Sequence, residues 1–174
     1  MNIEKFIENL AVQIYEEPLV HVREEANFPN ICNPLHVFIL LIDCDLEIDM
    51  NGVLGYLENP SGRHLKKTIK ALEEIGAPKC SALFDSIQEC MDRHDVSWNR
   101  LRSDSENLTE FEITSFRKLH GDSLDSFANE VFELSSGFSL FNTLYSPEDA
   151  NSAFVAYISG KINELKIEIE KRIA

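Results

Sequence analysis

Four carboxylates alternate along one short stretch of the chain: Asp43, Asp45, Glu47 and Asp49. On a helix, Asp43 shares a side with Glu47, and Asp45 with Asp49, each pair about 6 Å apart along the axis. Like charges at that spacing repel by about 0.2–0.5 kcal/mol per pair. Fold stability does not call for that cost, and a basic partner would offset it. Asp85, Glu89 and Asp92 form a similar row. A second group, Glu16, Glu17, Glu24 and Glu25, flanks Pro18 and Leu19, where a bend would set two short acidic ends side by side. Asp104, Glu106, Glu110 and Glu112 form a third set.

Other chemistries fit these residues poorly. The alternation from Asp43 to Asp49 resembles a calcium loop, but it lacks the central glycine, and Leu46 and Ile48 interrupt it. Cys90 and His94 share a helix side within Glu89-Cys90-Asp92-His94-Asp95, yet a cysteine–histidine pair alone is a weak metal signal. His21, His36, His64, His94 and His120 form no two-histidine, one-glutamate zinc motif. No serine sits in a glycine-flanked elbow, and no glycine loop would cradle phosphate. Among so many acids some pair always has a glycosidase-like separation, so that signal is empty. The expectation is a protein with no catalytic activity, no metal and no cofactor.

Thirty acids against sixteen bases give the 174-residue chain a net charge of −14. A direct nucleic-acid binder needs a basic surface, and an anionic membrane repels an acidic one. The acids are segregated. Residues 1–62 carry net −9, residues 63–102 net +2, residues 103–160 net −8 and residues 161–174 net +1. The start of the chain lacks the basic end and apolar core of a secretion signal, and the longest apolar run, Val37 to Ile42, is too short to span a bilayer. Cys32, Cys44, Cys80 and Cys90 form no close pair. A cytoplasmic protein with free thiols is the expectation.

The elements that must position these groups are helical. Ile3, Phe6, Ile7, Leu10 and Ile14 form one apolar stripe, ended or bent by Pro18. Asn33-Pro34 reads as a cap followed by a first-turn proline. The helix face then runs through Leu35, Phe38, Ile39, Ile42 and Leu46, with Asn51-Gly52 as its stop. Gly52 to Gly62 is irregular, with room for one short helix between turns. Further helices are marked by Leu65, Ile69 and Leu72 up to Gly76, by Leu83, Phe84, Ile87 and Met91, and by Leu124, Phe127, Val131 and Leu134 up to Gly137. Arg100 to Asn107 reads as a loop, and Phe111 to Leu119 as helix or strand, with helix favoured. Ser146-Pro147-Glu148-Asp149 reads as the start of a last helix through Val155, Ile158, Ile162, Leu165 and Ile169. Hairpin-bounded strands are absent from the pattern. The expectation is an all-α fold, one acidic domain over 1–174 with about seven to nine helices.

The stretch from Asp49 to Gly62, with Lys70-Ala71-Leu72-Glu73-Glu74-Ile75-Gly76-Ala77, resembles a bacterial domain family of otherwise unknown function, the one that includes the neisserial DNA-mimic protein. Asn51 and Gly52 match the first two residues of its Asn-Gly-Gly-Phe stretch, where Val53-Leu54 replaces Gly-Phe. Asn59, Ser61 and Gly62 match its Asn-x-Ser-Gly turn, and Gly76 its helix end. These are fold-defining positions. The resemblance implies a homodimer whose carboxylates imitate backbone phosphates, occupying the DNA-binding face of a bacterial helix-turn-helix transcription factor and so modulating transcription. The acids Asp43, Asp45, Glu47, Asp49, Glu16, Glu17, Glu24 and Glu25 are the expected phosphate mimics. The segment from Ala153 to Ile173 is a possible dimer face, because Phe154, Ile167 and Ile173 lie off its main stripe; burial in the protomer core is the alternative. A generic acidic interaction module without mimicry is the second functional reading.

Overall fold

The structure, a computed structural model, describes residues 2–105 and 115–173. Nine α-helices form among those residues: α1 (Ile3–Gln13), α2 (Pro34–Glu58), α3 (Leu65–Ile75), α4 (Pro78–Arg93), α5 (Trp98–Ser105), α6 (Phe116–His120), α7 (Asp125–Ser135), α8 (Ala150–Gly160) and α9 (Ile162–Ile173). Short 3-10 turns at Leu19–Glu24, Pro60–His64 and Asp122–Leu124 join them, and no strand occurs among the described residues. The all-α expectation holds. No helix among the described residues is long and apolar enough to cross a membrane.

The architecture is built around α2. Its N-terminus is capped as the sequence predicts: Asn33 Oδ1 accepts from the Leu35 N–H at 2.9 Å, with Pro34 in the first turn. Every residue from Pro34 to Leu41 is buried. A one-sided stripe cannot produce that; this first part of the helix is enclosed on all sides, as an all-round apolar segment must be. α3, α5, α7 and α9 pack against it, and α4 packs in turn on α3 and α7. Each fully buried leucine, isoleucine or phenylalanine contributes about 1.5–3 kcal/mol.

Several boundaries differ from the sequence reading. Asn51-Gly52 does not end the helix. Gly52 takes φ 68° and ψ −179°, which kinks α2 sharply, and the helix resumes because Val53, Tyr56 and Leu57 then bury in the core. That backbone region is nearly closed to residues with a Cβ. Leu46, assigned to the apolar stripe, is 44% exposed. Residues 100–105, expected in a loop, belong to α5: Ser97 Oγ accepts from the Arg100 N–H at 3.2 Å, Leu101 is fully buried, and the Trp98 indole donates to the Asn59 carbonyl at 2.9 Å. Those anchors outweigh a composition poor in apolar residues. Residues 116–120 are helical, whereas 111–114 lie outside the described residues.

The last helix starts later than expected and is divided. Asp149, not Ser146, caps α8, accepting from the Ser152 N–H at 2.9 Å. Glu148 instead reaches across the fold, its Oε1 accepting from the Lys79 and Cys80 N–H groups at 2.7 and 2.9 Å. It thereby supplies the N-terminal acceptor that Ala77, at the cap of α4, cannot. A break at Lys161 separates α8 from α9.

Candidate interaction surface

The four acids of α2 follow its enclosed segment, and what covers each decides what it can do. Asp43 is held in a fork: Arg23 Nε donates to its Oδ2 at 2.8 Å and Nη2 to its Oδ1 at 2.7 Å. Tyr15 adds its hydroxyl to Oδ1 at 2.7 Å, and its ring lies 4.7 Å beneath the guanidinium. The Asp43 side chain is only 14% exposed. Asp45 accepts from the Phe141 N–H at 3.1 Å, and burial raises its carboxyl to about 6. Glu47 accepts from the Ser61 hydroxyl, and burial raises it too. Asp49 is exposed and accepts from Ser139 Oγ at 2.7 Å. Three of these acids are thus partly covered, and Asp49 faces solvent.

The second group divides similarly. Glu16, Glu17 and Glu24 are exposed. His21 lies between Glu17 and Glu24, with ring nitrogens 2.9 and 3.1 Å from their oxygens, and hydrogen bonding to these acids raises its pKa. Glu25 turns inward. Arg172 of α9 grips it through Nε and Nη2 at 2.6 and 2.9 Å, which lowers its pKa, and buried His36 stands 3.2 Å from it. Glu25 therefore fastens the C-terminal helix to the entrance of α2. Asp104, in the third set, meets buried His120 Nδ1 at 2.8 Å while Glu58 meets its Nε2 at 2.5 Å; Glu106, Glu110 and Glu112 lie outside the described residues.

The motif residues have structural work. Asn51 and Gly52 form the kink, Asn59 ends α2, and Ser61 holds Glu47. A Cβ on Gly62 would lie 2.4 Å from the Tyr56 carbonyl oxygen and 2.7 Å from that of Leu57, so the turn can close only on glycine. Gly76 closes α3 in the left-handed conformation, with the Ala77 N–H bonded to the Leu72 carbonyl at 2.8 Å. Between the Pro60–His64 turn and the N-terminal segment lies a cavity of about 240 Å³, lined by Tyr15, Phe28, Leu40, Pro60, Arg63 and His64. Arg63 Nε donates to His64 Nε2 at 2.8 Å, and burial, with the adjacent guanidinium, lowers the His64 pKa to about 4.

An apolar surface went unread in the sequence. Met50, Phe132, Leu144 and Tyr145 are 70, 65, 83 and 59% exposed. Phe132 shares a shallow pocket with Asn51 and Gly52, and Tyr145 shares one with Asp49. The signal was available: Phe132 directly follows Val131 and so falls off the stripe of α7. In the C-terminal segment Phe154 is buried, whereas Ile167 and Ile173 are 51 and 62% exposed.

No curated protein and no solved structure matches the chain significantly. The family model described as DMP19-like protein matches residues 30–156, from the entrance of α2, through the kink and the glycine turn, into α8. The chain belongs to the DMP19-like protein family.

Proposed function

We propose that this protein is an acidic mimic of DNA that occupies the DNA-binding surface of a bacterial helix-turn-helix transcription factor, as a homodimer, and thereby modulates transcription. Membership of the DMP19-like family supports a regulatory, protein-interaction role. The observation that carries the finer reading is the exposed acidic group formed by Glu16, Glu17 and Glu24 on a chain of net charge −14, with Asp49 exposed on α2. Carboxylates offer arginine forks the same paired oxygens that phosphates do. Asp43 and Glu25 are gripped by this chain's own arginines, so they contribute less to such a surface.

The test is competition. The protein is titrated into helix-turn-helix regulators bound to labelled operator duplex, and sedimentation of the same sample reads its oligomeric state. Displacement of duplex by dimer is expected. Replacing Glu16, Glu17 and Glu24 together by glutamine should weaken binding by about 0.5–2 kcal/mol per exposed contact. No displacement of duplex from any regulator tested, or grouped replacement without effect, overturns the reading. A generic interaction module is the second reading, favoured by the exposed Phe132 and Leu144, which a phosphate rod has no counterpart for. It requires a partner that binds without competing with duplex.

A further inference from the structure

We propose that Cys90, His94 and Glu130 form a zinc-binding site that clamps α4 to α7. The sulfur of Cys90, a ring nitrogen of His94 and a carboxylate oxygen of Glu130 all lie within 4.8 Å of one another. Cys90 and His94 are one helical turn apart at the C-terminal end of α4, and Glu130 projects from the middle of α7, which packs on α4. Sequence spacing supplies only the first pair; the third ligand is 36 residues from His94 and arrives through the fold.

The donor set selects the metal. A thiolate and an imidazole favour zinc over magnesium or calcium, and three protein ligands leave a fourth position for water. Tetrahedral zinc with bonds of about 2.0–2.3 Å needs its ligand atoms about 3.3–3.7 Å apart. His94 Nε2 now stands 2.8 Å from Glu130 Oε2, so small side-chain rotations suffice. The His94 ring is positioned by Phe127, edge-on at 6.0 Å between centroids. Thiolate and carboxylate together neutralise Zn²⁺. The helix C-terminus, which favours cations, adds to the attraction. Coordination requires the Cys90 thiolate, so the thiol proton leaves to solvent as the metal binds.

Arg93 is the internal competitor. Its guanidinium pairs with Glu130 and must move aside, which a side chain 54% exposed can do, with Glu89 one turn back as a replacement partner. Metal-free, the same groups form a salt-bridged staple between the two helices; zinc would replace it with coordinate bonds.

The experiment uses Co²⁺ as the probe on full-length protein stripped with chelator, in a Cys32→Ser background, because Cys32 is an exposed thiol. One equivalent of Co²⁺ should give a thiolate charge-transfer band and tetrahedral visible bands, both abolished by one equivalent of Zn²⁺. Glu130→Gln should weaken Zn²⁺ binding by about 10–100-fold, and Arg93→Ala should tighten it. Cys90→Ser should lose the charge-transfer band. If that buried change unfolds the chain, as read by circular dichroism, His94→Asn at the partly exposed helix end takes its place and should weaken binding at least tenfold. Absence of the thiolate band, or unchanged Zn²⁺ affinity in both His94→Asn and Glu130→Gln, overturns the assignment.

Discussion

Asp43 and Asp45 stand two residues apart on α2 and differ in what covers them. Asp43 lies against a guanidinium; among the described residues Asp45 has a single N–H, from Phe141, and no cation. Desolvation therefore raises Asp45 to about 6, above the ordinary aspartate value of about 3.9. The folded state thus favours the protonated acid. Its contribution to stability is full below about pH 4 and is lost as pH rises through about 6. Asp45→Asn keeps an oxygen for the Phe141 N–H and removes the desolvated charge. After allowance for partial exposure, it should stabilise the fold by about 1–2 kcal/mol at pH 8 and by nothing near pH 4. Urea unfolding at the two pH values measures this; an equal effect at both would show that the charge is not the cause. Spacing along the sequence revealed which acids share a helix side. It could not reveal that Phe141, 96 residues away, or Arg23, 20 residues before Asp43, covers them.

At the scale of elements, helix existence was legible wherever an apolar period coincided with a cap. Asn33-Pro34 before α2 and Gly76 after α3 both stand where the sequence predicts. Reading failed where long-range contacts decide: α5 is recruited by Leu101 and Trp98, and α2 runs through its kink because the residues beyond it bury. The attachment of α9 is of the same kind. Only Leu165 of this helix is buried; Arg172 joins the helix to Glu25 and, through Nη1 at 2.9 Å, also holds Glu168 one turn back in the same helix. Asn33 Nδ2 also donates to Glu168, at 2.8 Å, so one charged network spans the start of α2, the turn before it and α9. Arg172→Met keeps the aliphatic stem and deletes the fork, leaving Glu25 beside neutral-favouring, buried His36. We expect a loss of about 1–3 kcal/mol, less than for a fully buried pair. Amide exchange should quicken in α9 before it does in α3 or α4. Unchanged exchange there would mean that apolar packing alone docks the helix.

For the whole molecule, the charge is large, and it is uneven along the chain. The cations Arg63, Lys66, Lys67 and Lys70 recur at i, i+3, i+4 and i+7, are all exposed, and make no ion pair among the described residues. Glu16, Glu17 and Glu24 lie on the N-terminal segment. A net charge of −14 attracts a basic partner during approach and speeds association. It also separates a protein mimic from DNA in a measurable way. DNA carries condensed counterions along its rod, and a partner that neutralises its phosphates releases them, with a slope of log K against log salt of about −0.9 per contacted phosphate. Discrete carboxylates on a folded protein hold a sparser ion atmosphere, and some here are already partnered, as Asp43 and Glu25 are. Fewer ions are released for each arginine engaged. For one regulator measured against operator duplex and against this protein, affinity for the protein should fall less steeply with salt. The curves then diverge, so that raising salt favours the protein over DNA in competition. A slope as steep as that for duplex would mean that the carboxylates condense ions as phosphates do; no slope at all would remove the acids from the interface and leave the apolar surface around Phe132 and Tyr145 to account for binding.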